Sequence, residues 1–231
     1  MADFADGLST WNLDAINVTD FGFGNRMVAQ TGEGVYVAVL DTGVDTNHPD
    51  LQDDIVAQHC FNSGDCPPSR TNESSSAEDE QGHGTHVAGI IAGDAASGAV
   101  DTAGFLRGLG VAPAAHLIDQ VYYPTYLSAG GMLTLMSQSF QNGAFISNNS
   151  WGPAITANGY DADTRLVDVG VRDADPGSTG NQPLSYILSI MNGYGGAGAL
   201  SDGKYNITTK FGGDLHTYIG VNRAMSLMEY V

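Results

Sequence analysis

Positive charge is what this chain has least of. Eight Lys and Arg stand against 26 Asp and Glu in 231 residues, for a formal net charge of −18. Nucleic acid needs a basic footprint, so it is excluded as a partner. Adsorption to anionic membranes is excluded on the same ground. An acidic surface attracts cations such as calcium, and it also serves plain solubility; composition leaves both readings open. No apolar run approaches the roughly 18–20 residues that cross a bilayer. The opening segment MADFADGLSTWNLDAIN has neither a basic n-region nor an apolar h-region, so a secretory leader or pro-segment is expected to be absent from this stretch. Cysteine is also scarce. Cys60 and Cys66 flank Phe-Asn-Ser-Gly-Asp, whose turn-forming residues favour a local bridge over two free thiols. Such a bridge belongs in an oxidising, extracellular setting, and Asn-x-Ser/Thr at Asn17, Asn72, Asn148 and Asn206 is compatible with secretion.

What is present alternates. VYVAVL (35–40) reads as a short apolar strand, HGTHVAGIIAG (83–93) as a helix, and AAHLIDQVYY (114–123) as a strand. AGGMLTLMSQSFQNG (129–143) reads as a helix, AFISNNS (144–150) as a strand and 162–175 as another helix. LSYILSIM (184–191), between Pro183 and Gly193, reads as a buried strand. This pattern predicts one α/β domain with a mostly parallel sheet covered by helices on both faces. The polar stretch 62–82 is expected to be an exposed loop, and so is the rest of the segment between the first strand and the first helix. Sites in such sheets lie at the carboxyl ends of strands, where Asp41, Ser150 and Asn192 fall.

VAVLDTGVD (37–45) admits two chemistries. Asp-Thr-Gly carries half of the carboxylate dyad in pepsin-like proteases, but those are nearly all β, and no second Asp-Thr/Ser-Gly occurs here. The other chemistry comes with GHGTHVAGI (82–90). A histidine opening a helix just after such a strand can receive Asp41 on one ring nitrogen and keep the other as a base. His86 has no intervening Glu and no third ligand for a zinc site, so packing is its expected role; His48, in NHPDL, is read as loop structure. Asp161, Asp163, Asp168, Asp173 and Asp175 read as a solvated helix face, and Tyr122, Tyr123 and Tyr126 as core or rim packing, with a substrate cleft as the other reading.

VAVLDTGVDTNHPDL and GHGTHVAGIIAG closely resemble the Asp and His motifs of the subtilisin-like serine proteases, the subtilases, in that family's order. LGVAPAAHL (109–117), SNNSWGP (147–153) and SYILSIMNGYGG (185–196) extend the resemblance over about residues 9–209. It implies a subtilisin-like three-layer fold and a secreted, monomeric serine endopeptidase acting on peptide or protein substrates, with an inhibitory propeptide as a further partner. In that reading Asp41 orients His83, and Asn192 donates to the oxyanion, a contribution of roughly 3–4 kcal/mol at the transition state. Ser150, Trp151 and Gly152 offer backbone groups to an extended peptide. Asp50 resembles a structural calcium ligand, with Asp94 and Asp101 in the loop beyond the His helix. Ile190 and Met191 stand where the family has small residues.

The family's Gly-Thr-Ser-x-Ala nucleophile segment does not occur, and residues 210–231 do not resemble the family. Ser226, in RAMSLME, lacks the flanking Gly and Thr and the small neighbours of a nucleophile. Two expectations follow: a truncated or misassembled catalytic domain of a protease, or an inactive subtilase-like module that binds peptides or a propeptide.

Overall fold

Tyr36–Asp41 (YVAVLD) is apolar on both sides of its backbone, which suits a central strand covered on both faces. In a computed structural model describing residues 13, 15–19, 26–62, 64–100, 102, 106–122, 130–151 and 162–189, this segment is β1, third in a sheet of five. The elements in chain order are β1, β2 (Ile55–Cys60), α1 (His83–Ala92), β3 (His116–Val121), α2 (Met132–Gln141), β4 (Ile146–Asn149), α3 (Ala162–Arg172) and β5 (Ser185–Leu188). Their order in the sheet is β2-β3-β1-β4-β5, and the β1–β3, β1–β4 and β2–β3 pairs are parallel. By internal packing, residues 1–149 with 158–187 make one compact unit and 150–157 with 188–231 a second.

Alternation along β1 and β3 separates two cores. Val37, Val39 and Leu117 pack with Ala88 and Ala92 of α1, together with Val44 and Leu51. Ala38 and Ile118 point the other way, into a cluster with Met136 of α2, Ala144, Ala174 and Leu184, against which Val167 of α3 packs. Helices on both faces of a largely parallel sheet are the expected α/β layering. Small residues set the spacing. A Cβ on Gly170 of α3 would lie 2.4 Å from the Met136 sulfur, so the two helices meet where a side chain is missing.

The predicted elements form with ends trimmed by a few residues, apart from three differences. β2 lies where a polar loop was expected. Its Gln58 and His59 hide the strand because they bind outward: Gln58 Oε1 accepts Ala77 N–H at 3.2 Å, and His59 Nε2 lies 2.7 Å from Glu73 Oε1. Cys60 exchanges backbone hydrogen bonds with Ser74, so residues 71–77 run along the outer side of β2. Next, β5 is not buried. It ends the sheet, and Ile187 and Leu188 are exposed. Finally, α3 stops at Arg172, which leaves Asp173 and Asp175 in the following turn, where they accept Gln182 N–H and the Ser178 hydroxyl.

The 62–82 loop is mainly exposed but anchored from within. Cys60 and Cys66 are bridged and packed with Ala77 and Val121. Arg70 clamps Glu80 through its two terminal guanidinium nitrogens, at 2.5 and 2.7 Å. Among the described residues, no helix is long and apolar enough to cross a membrane.

Candidate active site

β1 ends on a carboxylate that has almost no solvent contact: Asp41 is 3% exposed. Its Oδ1 accepts the Thr42 N–H at 2.8 Å and lies 2.7 Å from His83 Nδ1. Facing a carboxylate, Nδ1 must carry the proton, and Nε2 is then the basic nitrogen. The His83 side chain is half exposed and its Nε2 makes no hydrogen bond among the described residues. A buried acid holding an accessible imidazole in one tautomer is the arrangement of a general base.

The glycines of the two motifs explain how a strand end and a helix start come this close. Gly43 has φ 109°, and a Cβ there would sit 2.3 Å from the Ala77 carbonyl oxygen. A Cβ on Gly84 would sit 2.1 Å from the Gly43 carbonyl oxygen. Neither position admits a side chain, so Asp-Thr-Gly and His-Gly-Thr interlock through bare backbone.

Asp79, which no sequence motif singles out, ties the two segments together. Its Oδ1 accepts the Thr42 hydroxyl (3.0 Å) and the N–H groups of Gln81 and Gly82 (both 2.9 Å). Oδ2 accepts the Thr85 hydroxyl (2.6 Å) and the Thr85 N–H (3.0 Å). Thr42 in turn accepts Gly84 N–H at 2.9 Å, and Thr85 accepts Asp45 N–H at 2.9 Å. Because Gly82 at the N-cap has no side chain, Asp79 accepts the Gly82 and Thr85 amides at the start of α1, and Thr42 accepts that of Gly84. Desolvation acts against its ionised form, but the Thr85 hydroxyl and the Gly82, Gln81 and Thr85 amides outweigh it and hold the carboxyl below its ordinary range. In sequence Asp79 stands between Glu78 and Glu80, with no signal that sets it apart from them.

The other expected site residues fall as follows. Ser150 and Trp151 come directly after β4, in the second unit, where the Trp151 carbonyl accepts the Ser189 hydroxyl at 2.8 Å. Gly152, Asn192 and Ser226 lie outside the described residues, as do Asp101, Asp161, Tyr123 and Tyr126. Tyr122 is buried, in keeping with packing. His48 Nδ1 accepts Asp50 N–H at 3.2 Å, a turn contact as expected. His86 is exposed on α1, contrary to the packing role, because its side of the helix faces away from the Ala88–Ala92 contact with the sheet.

Asp50 accepts Asp94 N–H on its backbone oxygen at 3.2 Å. Its side-chain Oδ1 is buried without a hydrogen-bond partner among the described residues, and its Oδ2 fills the space beside Gly108. No group of three or more His, Cys, Asp or Glu side chains suited to a metal occurs among the described residues.

A model of the Subtilase family (peptidase S8) matches residues 32–202. The chain is 41% identical over 90 residues to a subtilisin of Bacillus sp. (strain TA39), an alignment covering 38% of this chain and 19% of that protein. It is 36% identical over 170 residues to Subtilisin BL of Lederbergia lenta, covering 70% of this chain and 54% of that one. Among solved structures, the S41 psychrophilic protease superposes with a TM-score of 0.54 at 26% identity, over 84% of this chain and 54% of that one. The chain therefore spans about half or less of the length of these relatives.

Proposed function

This chain belongs to the subtilase family, and on that premise we propose that it carries the acid and the base of an Asp–His–Ser triad that hydrolyses peptide bonds in protein substrates. The observation that carries this reading is the 2.7 Å contact from His83 Nδ1 to the buried Asp41 carboxylate. Asp41 holds the imidazole in the Nδ1–H tautomer and stabilises the imidazolium as it forms. His83 Nε2 takes the proton of a serine hydroxyl attacking the scissile carbonyl, then returns it to the leaving amine. Asn192 with a backbone N–H holds the oxyanion, and Ser150–Trp151–Gly152 pairs with the extended peptide. An inhibitory propeptide would occupy the same edge. The Cys60–Cys66 bridge supports an extracellular setting, and the monomer remains part of this proposal.

The 231 residues contain no Gly-Thr-Ser-x-Ala segment, which favours a second reading, a module that binds peptides without cleaving them. Fluorogenic-peptide hydrolysis and fluorophosphonate labelling separate the two. Residues 1–231 are expected to show no turnover, and the full-length product of the transcript is expected to hydrolyse peptides until His83→Ala abolishes it. Hydrolysis undiminished by His83→Ala would end the triad reading. A fluorophosphonate found on Ser226 would place the nucleophile within this chain.

Calcium is proposed at Asp50. The unpartnered, buried Oδ1 suits a hard cation, which would draw its remaining oxygens from backbone carbonyls. Dialysis against EDTA is expected to lower the melting temperature by about 5 °C, with recovery on adding calcium. A melting temperature indifferent to EDTA removes the site.

A further inference from the structure

Asp119 sits in the middle of β3 with 0% solvent exposure. Across the parallel ladder it faces Val39, and Val121 faces Asp41. Neighbouring residues in a sheet share a face, and so do residues two apart on one strand. Asp119 therefore leaves the sheet on the same side as Val39 and Asp41, the side that α1 covers. Its Oδ2 accepts the Val44 N–H at 3.2 Å, a donor shared with the Ala77 carbonyl at 3.2 Å. Its Oδ1 has no hydrogen-bond partner among the described residues, and the same is true of Asp41 Oδ2.

The charged groups that act on Asp119 are all acids: Asp79 and Glu78 from the segment before α1, and Asp41 from the end of β1. Each is already committed elsewhere. Asp79 binds the start of α1, Glu78 Oε2 accepts the Thr46 hydroxyl at 2.5 Å, and Asp41 holds His83, the titratable group that α1 brings to this side. No cation among them offsets a charge on Asp119. A buried carboxylate without a counter-ion is costly, and a second one beside Asp41 is costlier still.

We propose that Asp119 is a positioning residue for the Asp41–His83 pair that works as a neutral carboxylic acid, anchoring the Thr42–Val44 turn without adding a second negative charge beside Asp41. The role of His83 as a base rests on the function proposed above; the state of Asp119 and its hold on the turn do not. Burial pushes the Asp119 carboxyl well above its ordinary value; the Val44 N–H acts against this, and Asp79, Glu78 and Asp41 add to it. The folded chain thus keeps a proton that the unfolded chain releases above about pH 4, and this contribution to stability is lost as pH rises.

The test uses the chain without substrate, so failure of the protease reading leaves it intact. In protein labelled with ¹³C at aspartate, the Asp119 carboxyl carbon, assigned by its loss in Asp119→Asn, is expected to keep its protonated shift from pH 5 to 7. An ionised shift in that range overturns the proposal. Asp119→Asn keeps shape, neutrality and an acceptor for Val44, so the ¹⁵N shifts of the His83 ring should stay at the parent's Nδ1–H tautomer. Asp119→Leu removes the acceptor and should lower the population of that tautomer about twofold or more. A ring unchanged in Asp119→Leu overturns the positioning role. If Asp119→Leu does not fold, the pH dependence of melting decides: the gap between Asp119→Asn and the parent should widen from pH 4 to pH 8, and a constant gap overturns the proposal.

Discussion

On the triad reading proposed above, Asp41→Asn in a form that hydrolyses peptides is expected to lower kcat by about four orders of magnitude while leaving KM nearly unchanged. The substitution preserves shape and removes charge from a side chain that is 3% exposed, so packing around β1 has no reason to change. What changes is the partner of His83 Nδ1. With its amide nitrogen toward His83, the asparagine donates to that nitrogen, which becomes the acceptor while the proton moves to Nε2, where a base must be empty, and the Thr42 N–H loses the oxygen it shared with His83. The imidazolium that forms during attack also loses its counter-charge. Kinetics together with ¹⁵N shifts of the His83 ring check both halves of the argument. A loss below tenfold would mean that Asp41 only shapes the turn; a ring that keeps its tautomer would mean that the asparagine oxygen faces His83 and that any loss is one of counter-charge alone.

Asp79→Ala is expected to cost about 2–3 kcal/mol, lowering the melting temperature by roughly 5–10 °C. The figure is held to the low side because the carboxylate is only partly buried. The substitution frees the Gln81, Gly82 and Thr85 amides at the start of α1 and leaves the Thr42 hydroxyl without its acceptor. The pH dependence has a definite sign. Asp79 titrates below its ordinary range in the folded chain, so its stabilisation is present above about pH 4 and lost as pH falls through the folded value. Melting curves at pH 7 and pH 3 should therefore show the penalty shrinking in acid. A penalty of equal size at both would mean that Asp79 acts through its shape. Asp79 and Asp119 thus give opposite slopes: one carboxyl is held by donors, and the other is buried among acids.

Much of the fold and of the Asp–His pair is legible in the sequence because it is written in apolar periodicity and glycine placement. VYVAVL has no polar side, so it reads as a central strand, and the pairing of Asp41 with His83 follows from the resemblance of DTG and HGTH to the subtilase motifs, whose glycines the structure shows where the two backbones touch. Hidden features are those whose polar residues work inward or sideways. Gln58 and His59 make β2 look like loop because they bind residues 73–77 instead of water. Asp79 is lost among the acids of SAEDEQG, where nothing local tells a capping carboxylate from a solvated one. Asp119 is visible as an acid between Ile118 and Gln120 in a buried strand, the kind of anomaly that marks a site, yet the apolar run around it masks it. Asn192 and Gly152 lie outside the described residues, and their roles rest on the family motif.

Residues 71–77, running beside β2, have a consequence beyond the site. A terminal strand normally presents a row of free N–H and C=O groups that another molecule can pair with, the starting point of ordered aggregation. Here the chain's own loop lies in the way: Ser74 pairs with the backbone groups of Cys60, and the side chains of Gln58 and His59 hold Ala77 and Glu73 beside the strand. The Cys60–Cys66 bridge and the Arg70–Glu80 clamp fasten both ends of this cover. In a reducing environment the first of those fastenings opens, and this edge of the sheet loses part of its guard. The bridge thereby ties the protection of this sheet edge to oxidising conditions.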